Sequence, residues 1–185
     1  MLEKKNEQGF TLLEVAMVLI VASLIVLGVL KAQGVWDEAK SFRLERQVQE
    51  LQVASALFER KMGYLPGADP DDPNEIVNDN GNDAEDWNVD LSNENLIISE
   101  AAALSHPFGG SVWLEEMGPG DVPFGYALNM FRFDNVPAAF ARALDERLDD
   151  GEPDSGDIRA YDAGTTGDVN DYSDYDNVDL FILLQ

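Results

Sequence analysis

The sequence predicts an α+β fold, one long N-terminal α-helix packed through its second half on a small, mainly antiparallel sheet. Two patterns carry this prediction. An apolar run from Phe10 to Leu30 passes without a proline into an amphipathic stretch that ends at Met62, and behind it short aromatic and branched segments alternate with turn residues.

The first element is the apolar run. Phe10 to Leu30 is 21 residues whose only charge is Glu14, long enough as a helix to cross a hydrocarbon core of about 30 Å. A carboxylate inside such a span costs about 2.5–3.5 kcal/mol at a helix centre, so it marks a pairing or functional site. Glu14 lies near one end, which lowers that cost without removing it. Lys4 and Lys5 precede the run and the next charge after Glu14 is Lys31, a bias that holds residues 1–9 in the cytoplasm and sends the rest outward. A cleaved secretory signal would need a shorter apolar region and a small-residue site, and Lys31-Ala32-Gln33-Gly34 is a poor one.

The second element, residues 31–62, continues the helix. Leu44, Val48, Leu51, Ser55, Phe58 and Met62 recur at spacings of four and three, the mark of one buried helix face, with charges of both signs between them. Joined to the apolar run this makes a helix of 53 residues, about 80 Å long. Gly63, Pro66 and Asp69-Pro70-Asp71-Asp72-Pro73 end it.

Residues 63–185 are enough for a single domain with a modest core. Leu65 to about Trp87 reads as turns, Ile97 to Leu104 as a short helix, and Ser111–Met117, Phe124–Phe133, Asp157–Tyr161 and Val178–Leu184 as strands. Pro137 to Leu148 reads as a helix with Asn135 placed to cap it, a stripe of Phe140, Leu144 and Leu148, and Gly151 at its end. Trp36, Trp87 and Trp113 read as packing residues, and His106 as a turn residue before Pro107.

Gly9-Phe10-Thr11-Leu12-Leu13-Glu14-Val15 resembles the processing site of type IV pilins and of the pseudopilins of type II secretion. That resemblance implies a type IV pilin-like fold and a prepilin peptidase that cuts after Gly9 and methylates the new amine of Phe10. It also implies that Glu14 pairs with the terminal amine of a neighbouring subunit during assembly, which supplies the partner a buried carboxylate requires. Further on, Phe58-Glu59-Arg60-Lys61-Met62-Gly63-Tyr64-Leu65-Pro66-Gly67, Val136-Pro137-Ala138-Ala139, Leu144 to Gly151 and Gly156 to Ala160 are similar to segments of a group of pilin-like proteins. One departure stands at Lys31, where many members have proline; Gly28 and Gly34 are the remaining sources of helix flexibility.

Charge and composition narrow the function. From Gly63 onward four arginines and no lysine face 28 acidic residues, a net of −24 that equals the charge of the whole chain. The acidity therefore belongs to the domain, and it argues against direct DNA binding. There is no cysteine, hence no disulfide, thiolate metal site or nucleophilic thiol. With one histidine and no G-x-S-x-G elbow, no hydrolytic triad can be assembled by pattern, so the chain reads as a structural subunit and not an enzyme.

Two acidic loops offer hard oxygen ligands at close spacing, as calcium requires. In the first, Asp168, Asn170, Asp171, Asp174, Asp176 and Asp179 are the candidate ligands; Asn78 to Asp83 is the second. The first does not follow the EF-hand spacing, though the resemblance supports it because some pilins and pseudopilins bind calcium in a C-terminal loop; the second has similar chemistry and less support. The expected organisation is then a leader at 1–9, a membrane or filament-core half at 10–30, an amphipathic half at 31–62 and an acidic domain at 63–185. The expected partners are prepilin peptidase, other pilin subunits in a homopolymer or mixed filament, and the bacterial inner membrane before assembly. The domain is expected in the periplasm, and the filament there or outside the cell. The alternatives are a secretion pseudopilin and an uncleaved, membrane-anchored, calcium-dependent binding domain.

Overall fold

The computed structural model describes residues 11–68, 87–117, 128–164 and 169–184. The chain divides into two units, residues 1–39 and 40–185.

Helix α1 spans Leu12–Met62. Within the first unit its apolar side chains from Leu12 to Leu30 are exposed, as a segment built for lipid or for other helices requires. The hydroxyl of Ser23 donates to the carbonyl of Leu19 at 2.7 Å and so is satisfied inside the helix. α1 continues unbroken through Gly28, Lys31 and Gly34.

In the second unit α1 buries Leu44, Val48, Leu51, Ala54, Ser55 and Phe58, the expected face except at Met62, which is 41% exposed in the last turn. Trp36, expected to pack, is 67% exposed. Trp87 is buried at the start of α2 (Trp87–Asn93), edge-on to Phe131. α2 is not evident from its seven residues, WNVDLSN, because Trp87, Val89 and Leu91 alternate with the period of a strand and the segment is too short to show a helical one. The short helix expected around 97–104 is one turn, α3 (Glu100–Ala103), capped by Ser99, whose side chain accepts from the amide of Ala102.

Four antiparallel strands form one sheet: β1 (Val112–Met117), β2 (Leu128–Pro137), β3 (Ile158–Asp162) and β4 (Asn177–Leu183), in the order β1-β2-β4-β3. The period of two sorts their side chains. Val112, Leu114, Phe131, Phe133, Ile158, Ala160, Leu180 and Ile182 join the α1 face in one core, whereas Met130, Tyr161 and Phe181 form a second, smaller cluster. Phe124 to Ala127, expected as the start of β2, lie outside the described residues.

Helix α4 (Ala138–Leu148) follows β2 directly, and two details differ from expectation. Its N-cap is Pro137, with no side-chain cap. Asn135 lies two residues too early for that role. It sits in a β-bulge between Phe133 and Val136 at φ 57°, a left-handed conformation that asparagine tolerates better than most residues, and its amide donates to Asp179 at 2.7 Å. The buried face of α4 is Ala138, Ala141, Leu144 and Asp145. Phe140 is half-buried and stacks on Phe108, and Leu148 is 36% exposed, so the expected stripe is rotated toward the small residues that let α4 lie close to the sheet.

His106 occupies a turn, as expected, but its side chain is buried and structural. Burial lowers its pKa, and the neutral ring fits its contacts: Nε2 lies 2.6 Å from the carbonyl of Asp134, while Nδ1 accepts from the amide of Phe108. Gly110 is required there, because a Cβ would sit 1.9 Å from that carbonyl.

Phe58→Ala should cost about 3–5 kcal/mol, since it empties the contact between α1 and the core, and Trp36→Ala should leave the unfolding transition of the second unit within about 0.5 kcal/mol. Denaturant unfolding of the detergent-solubilised chain, followed through buried Trp87, tests both.

Candidate functional site

At the start of α1 the structure shows a local arrangement that the sequence reading passed over. Thr11 and Glu14 form a capping box. The amide and hydroxyl of Thr11 donate to Oε2 of Glu14 at 2.8 and 2.9 Å, and the amide of Glu14 donates back to Thr11 Oγ1 at 3.3 Å. The amide of Val15 reaches the carbonyl of Thr11 at 3.2 Å and closes the first turn. The signal was present as T-x-x-E before an apolar run. A carboxylate at this position satisfies otherwise orphaned backbone donors and lies at the positive end of the helix dipole. Every protein donor it meets among the described residues goes to one oxygen, leaving Oε1 without one. Gly9 and Phe10 lie outside the described residues.

The C-terminal acidic loop is dispersed. Asp168 is outside the described residues, as are Asn78 to Asp83. Asn170, Asp171, Asp174 and Asp176 are exposed. Asp171 caps the 3-10 turn Tyr172–Asp174 by accepting from the amide of Ser173 at 2.9 Å, a bond that holds its pKa below the usual carboxylate range. Asp179 is buried in β4 and spent on protein: it accepts from the amides of Asn135 at 2.7 Å and Gly164 at 3.3 Å and pairs with Arg132 at 3.0 Å.

Arg132 gathers two more acids, Glu115 at 3.4 Å and Asp134 at 2.7 Å, the latter an ion pair without hydrogen-bond alignment. Its guanidinium also lies 5.8 Å from the centre of the Phe181 ring, and Trp113 Nε1 donates to Asp134 at 2.8 Å. One cation thus holds three carboxylates on the sheet face away from α1. Burial raises the pKa of Glu115 against the pull of Arg132.

Asp145, Asp149 and Asp150 bring carboxylate oxygens within 4.8 Å of one another. Their lone pairs fold the loop after α4. Asp145 accepts from the phenol of Tyr172 at 2.8 Å and from the amide of Gly151 at 3.2 Å. Asp149 accepts from the amides of Asp157 and Ile158. Asp150 accepts from the amide of Glu152 and the hydroxyl of Ser155. This is an architectural knot, invisible to sequence spacing because its partners Tyr172, Ser155 and Ile158 reach it only once α4 is placed.

Burial pushes the Asp145 carboxyl up to about 6, against the two hydrogen bonds and with the help of Asp149 and Asp150. A folded-state pKa above the unfolded one means that the folded chain binds the extra proton, so the associated stability is present below about pH 4 and is lost as pH rises through 6. Asp145→Asn should therefore gain on the native chain by about 2 kcal/mol between pH 4 and pH 7. Paired denaturation curves across that range test this, and a difference that stays constant with pH would show that Asp145 titrates normally.

Residues 4–30 match the prokaryotic N-terminal methylation motif. No curated protein and no solved structure matches the chain. The motif covers the apolar start of α1 and includes Gly9, Phe10 and Glu14, and the domain that follows is a small antiparallel sheet with a long helix in its core. The chain therefore carries, on residues 4–30, the signature of type IV pilins and pseudopilins, ahead of an α+β domain consistent with a pilin-like fold.

Proposed function

We propose that this chain is a structural subunit of a type IV pilus: prepilin peptidase cuts after Gly9, the amine of Phe10 is methylated, and the subunit waits in the inner membrane with its acidic domain in the periplasm until it joins a filament. The observation that carries this reading is a single carboxylate, Glu14, in an apolar span of 21 residues that begins at the cleavage position of a methylation motif. A buried carboxylate needs a partner. The capping box explains how the cost is reduced in the free subunit, since Thr11 and the helix terminus serve Oε2. In the filament the methylated amine of a neighbouring Phe10 serves Oε1, and the exposed apolar side chains from Leu12 to Leu30 bury against their counterparts.

The experiment is intact-mass and N-terminal analysis of the protein from its native membrane, with shearing of surface filaments. A chain beginning at N-methylated Phe10 and present in the sheared fraction is expected; a chain that keeps residues 1–9 would leave an anchored, non-polymerising domain. Glu14→Gln should be processed normally and reduce the sheared fraction by about tenfold or more, the scale set by breaking a buried pair. If that fraction holds only traces of the chain, and deleting its gene abolishes export of an enzyme, the filament is a secretion pseudopilus.

A domain with 28 acids and four arginines repels its copies. Sheared filaments should consequently hold together better at 0.5 M salt, where the screening length is only about 4 Å, than at 0.01 M, where it is about 30 Å. Equal stability by light scattering in both would count against charge as the limit on assembly.

A further inference from the structure

The second unit presents an open groove of about 930 Å³ between the outer side of α1 and the segment from Leu96 to Pro107. Its lining is mostly apolar, with Val53 59%, Leu57 46% and Ile98 100% exposed, and with Ile97 and Ala102 beside them. An isoleucine standing wholly in water next to two exposed aliphatic side chains is a patch of the kind that marks an interaction surface. The two walls are tied together, because Gln47 on α1 donates to the carbonyls of Ser105 at 2.8 Å and Ala102 at 3.4 Å. The groove is thus preformed.

Its rim carries the opposite sign to the rest of the domain. Arg46 is matched by Glu50 at 2.7 Å. Arg43 is exposed and, like Lys40 and Arg60, forms no ion pair among the described residues, whereas Arg132, Arg142, Arg147 and Lys61 each hold a carboxylate; of these three unpaired cations Arg43 is the one that lines the groove. An apolar groove with an unpaired guanidinium at its edge selects an occupant that is both acidic and partly apolar.

We propose that this groove docks the acidic domain of a second copy of this chain. That domain supplies the required charge, with 28 acids against four arginines from Gly63 onward. The groove in one copy and an acidic surface on the next make a heterologous contact, which repeats without closing and so extends a filament. Arg43 then offsets part of the repulsion between neighbouring domains at the place where they touch. The inference rests on the filament reading and adds to it a surface outside the N-terminal apolar segment.

The test uses the full chain in cells that make filaments. Ile98 is fully exposed, so Ile98→Lys and Ile98→Glu both leave the fold intact, which the amount of subunit held in the membrane verifies. A neighbouring acidic surface should accept Ile98→Lys with a sheared-filament yield within about threefold of the parent and should reject Ile98→Glu by about tenfold or more, as like charges facing each other across an interface require. Arg43→Glu should raise the salt concentration needed to keep filaments intact, and Arg43→Lys should not. Equal losses with both Ile98 variants would overturn an acidic occupant. Full yield with both would overturn the groove as a contact. Absence of filaments from the parent chain itself would overturn the filament reading, and this inference with it, before any variant is compared.

Discussion

The face of α1 formed by Leu44, Val48, Leu51, Ala54 and Phe58 is the surface on which the rest of the domain depends. Each strand contributes alternate residues to the same core, and α2, α3 and α4 add Trp87, Leu91, Ala103, Ala141 and Leu144. A four-stranded sheet with one open face cannot hold itself together in water, so the helix acts as its missing layer. Glu45 on α1 adds a polar tie at the edge of that layer, pairing with Arg147 of α4 at 2.7 Å.

Given that core, the remaining problem is acid. A domain with 28 carboxylates must keep most in water and satisfy any it buries. Two solutions are used. On the sheet face away from α1, Arg132 draws Glu115, Asp134 and Asp179 around one guanidinium, and Asp179 also receives two backbone amides. At the end of α4, Asp145, Asp149 and Asp150 are satisfied chiefly by amides and hydroxyls, with Arg159 close enough to act on Asp150. The second solution leaves Asp145 with a proton affinity well above an ordinary aspartate, because hydrogen bonds compensate burial only in part. The protonated phenol of Tyr172, its pKa raised by burial and by Asp145, is the donor that makes this arrangement workable.

How much of this was legible in the sequence follows from which signals are local. The amphipathic repeat from Leu44 to Phe58 is periodic and appears in the structure. Three strands lie within a residue of their expected ends and all pair antiparallel, since aromatic and branched runs between turn residues leave few other choices. The start of α4 was misread because Asn135 looks like a cap, yet a left-handed asparagine also fits a bulge, and only pairing with β4 decides between them. Asp179 looked like one more loop ligand. It is instead a buried strand residue whose partner, Arg132, is 47 positions away and invisible to spacing. The knot at Asp145 depends likewise on Tyr172, 27 positions later. The capping box at Thr11 and Glu14 was readable, and was hidden by a stronger reading of the same glutamate.

Those two readings of Glu14 concern different oxygens and different states. A carboxylate held by its own helix terminus is cheaper to keep in an apolar environment, which under the proposed function favours a stable pool of free subunits. The same bonds fix its position, so an incoming cation meets a carboxylate already oriented, with Oε1 free of protein donors among the described residues. In the proposed filament an intersubunit pair would add to the capping box without first dismantling it, and little ordering of the side chain would remain to oppose the contact. Thr11 is in that case a positioning residue for assembly as well as a helix cap, and the placement of threonine three residues before the one acidic side chain of the apolar span has a physical reason.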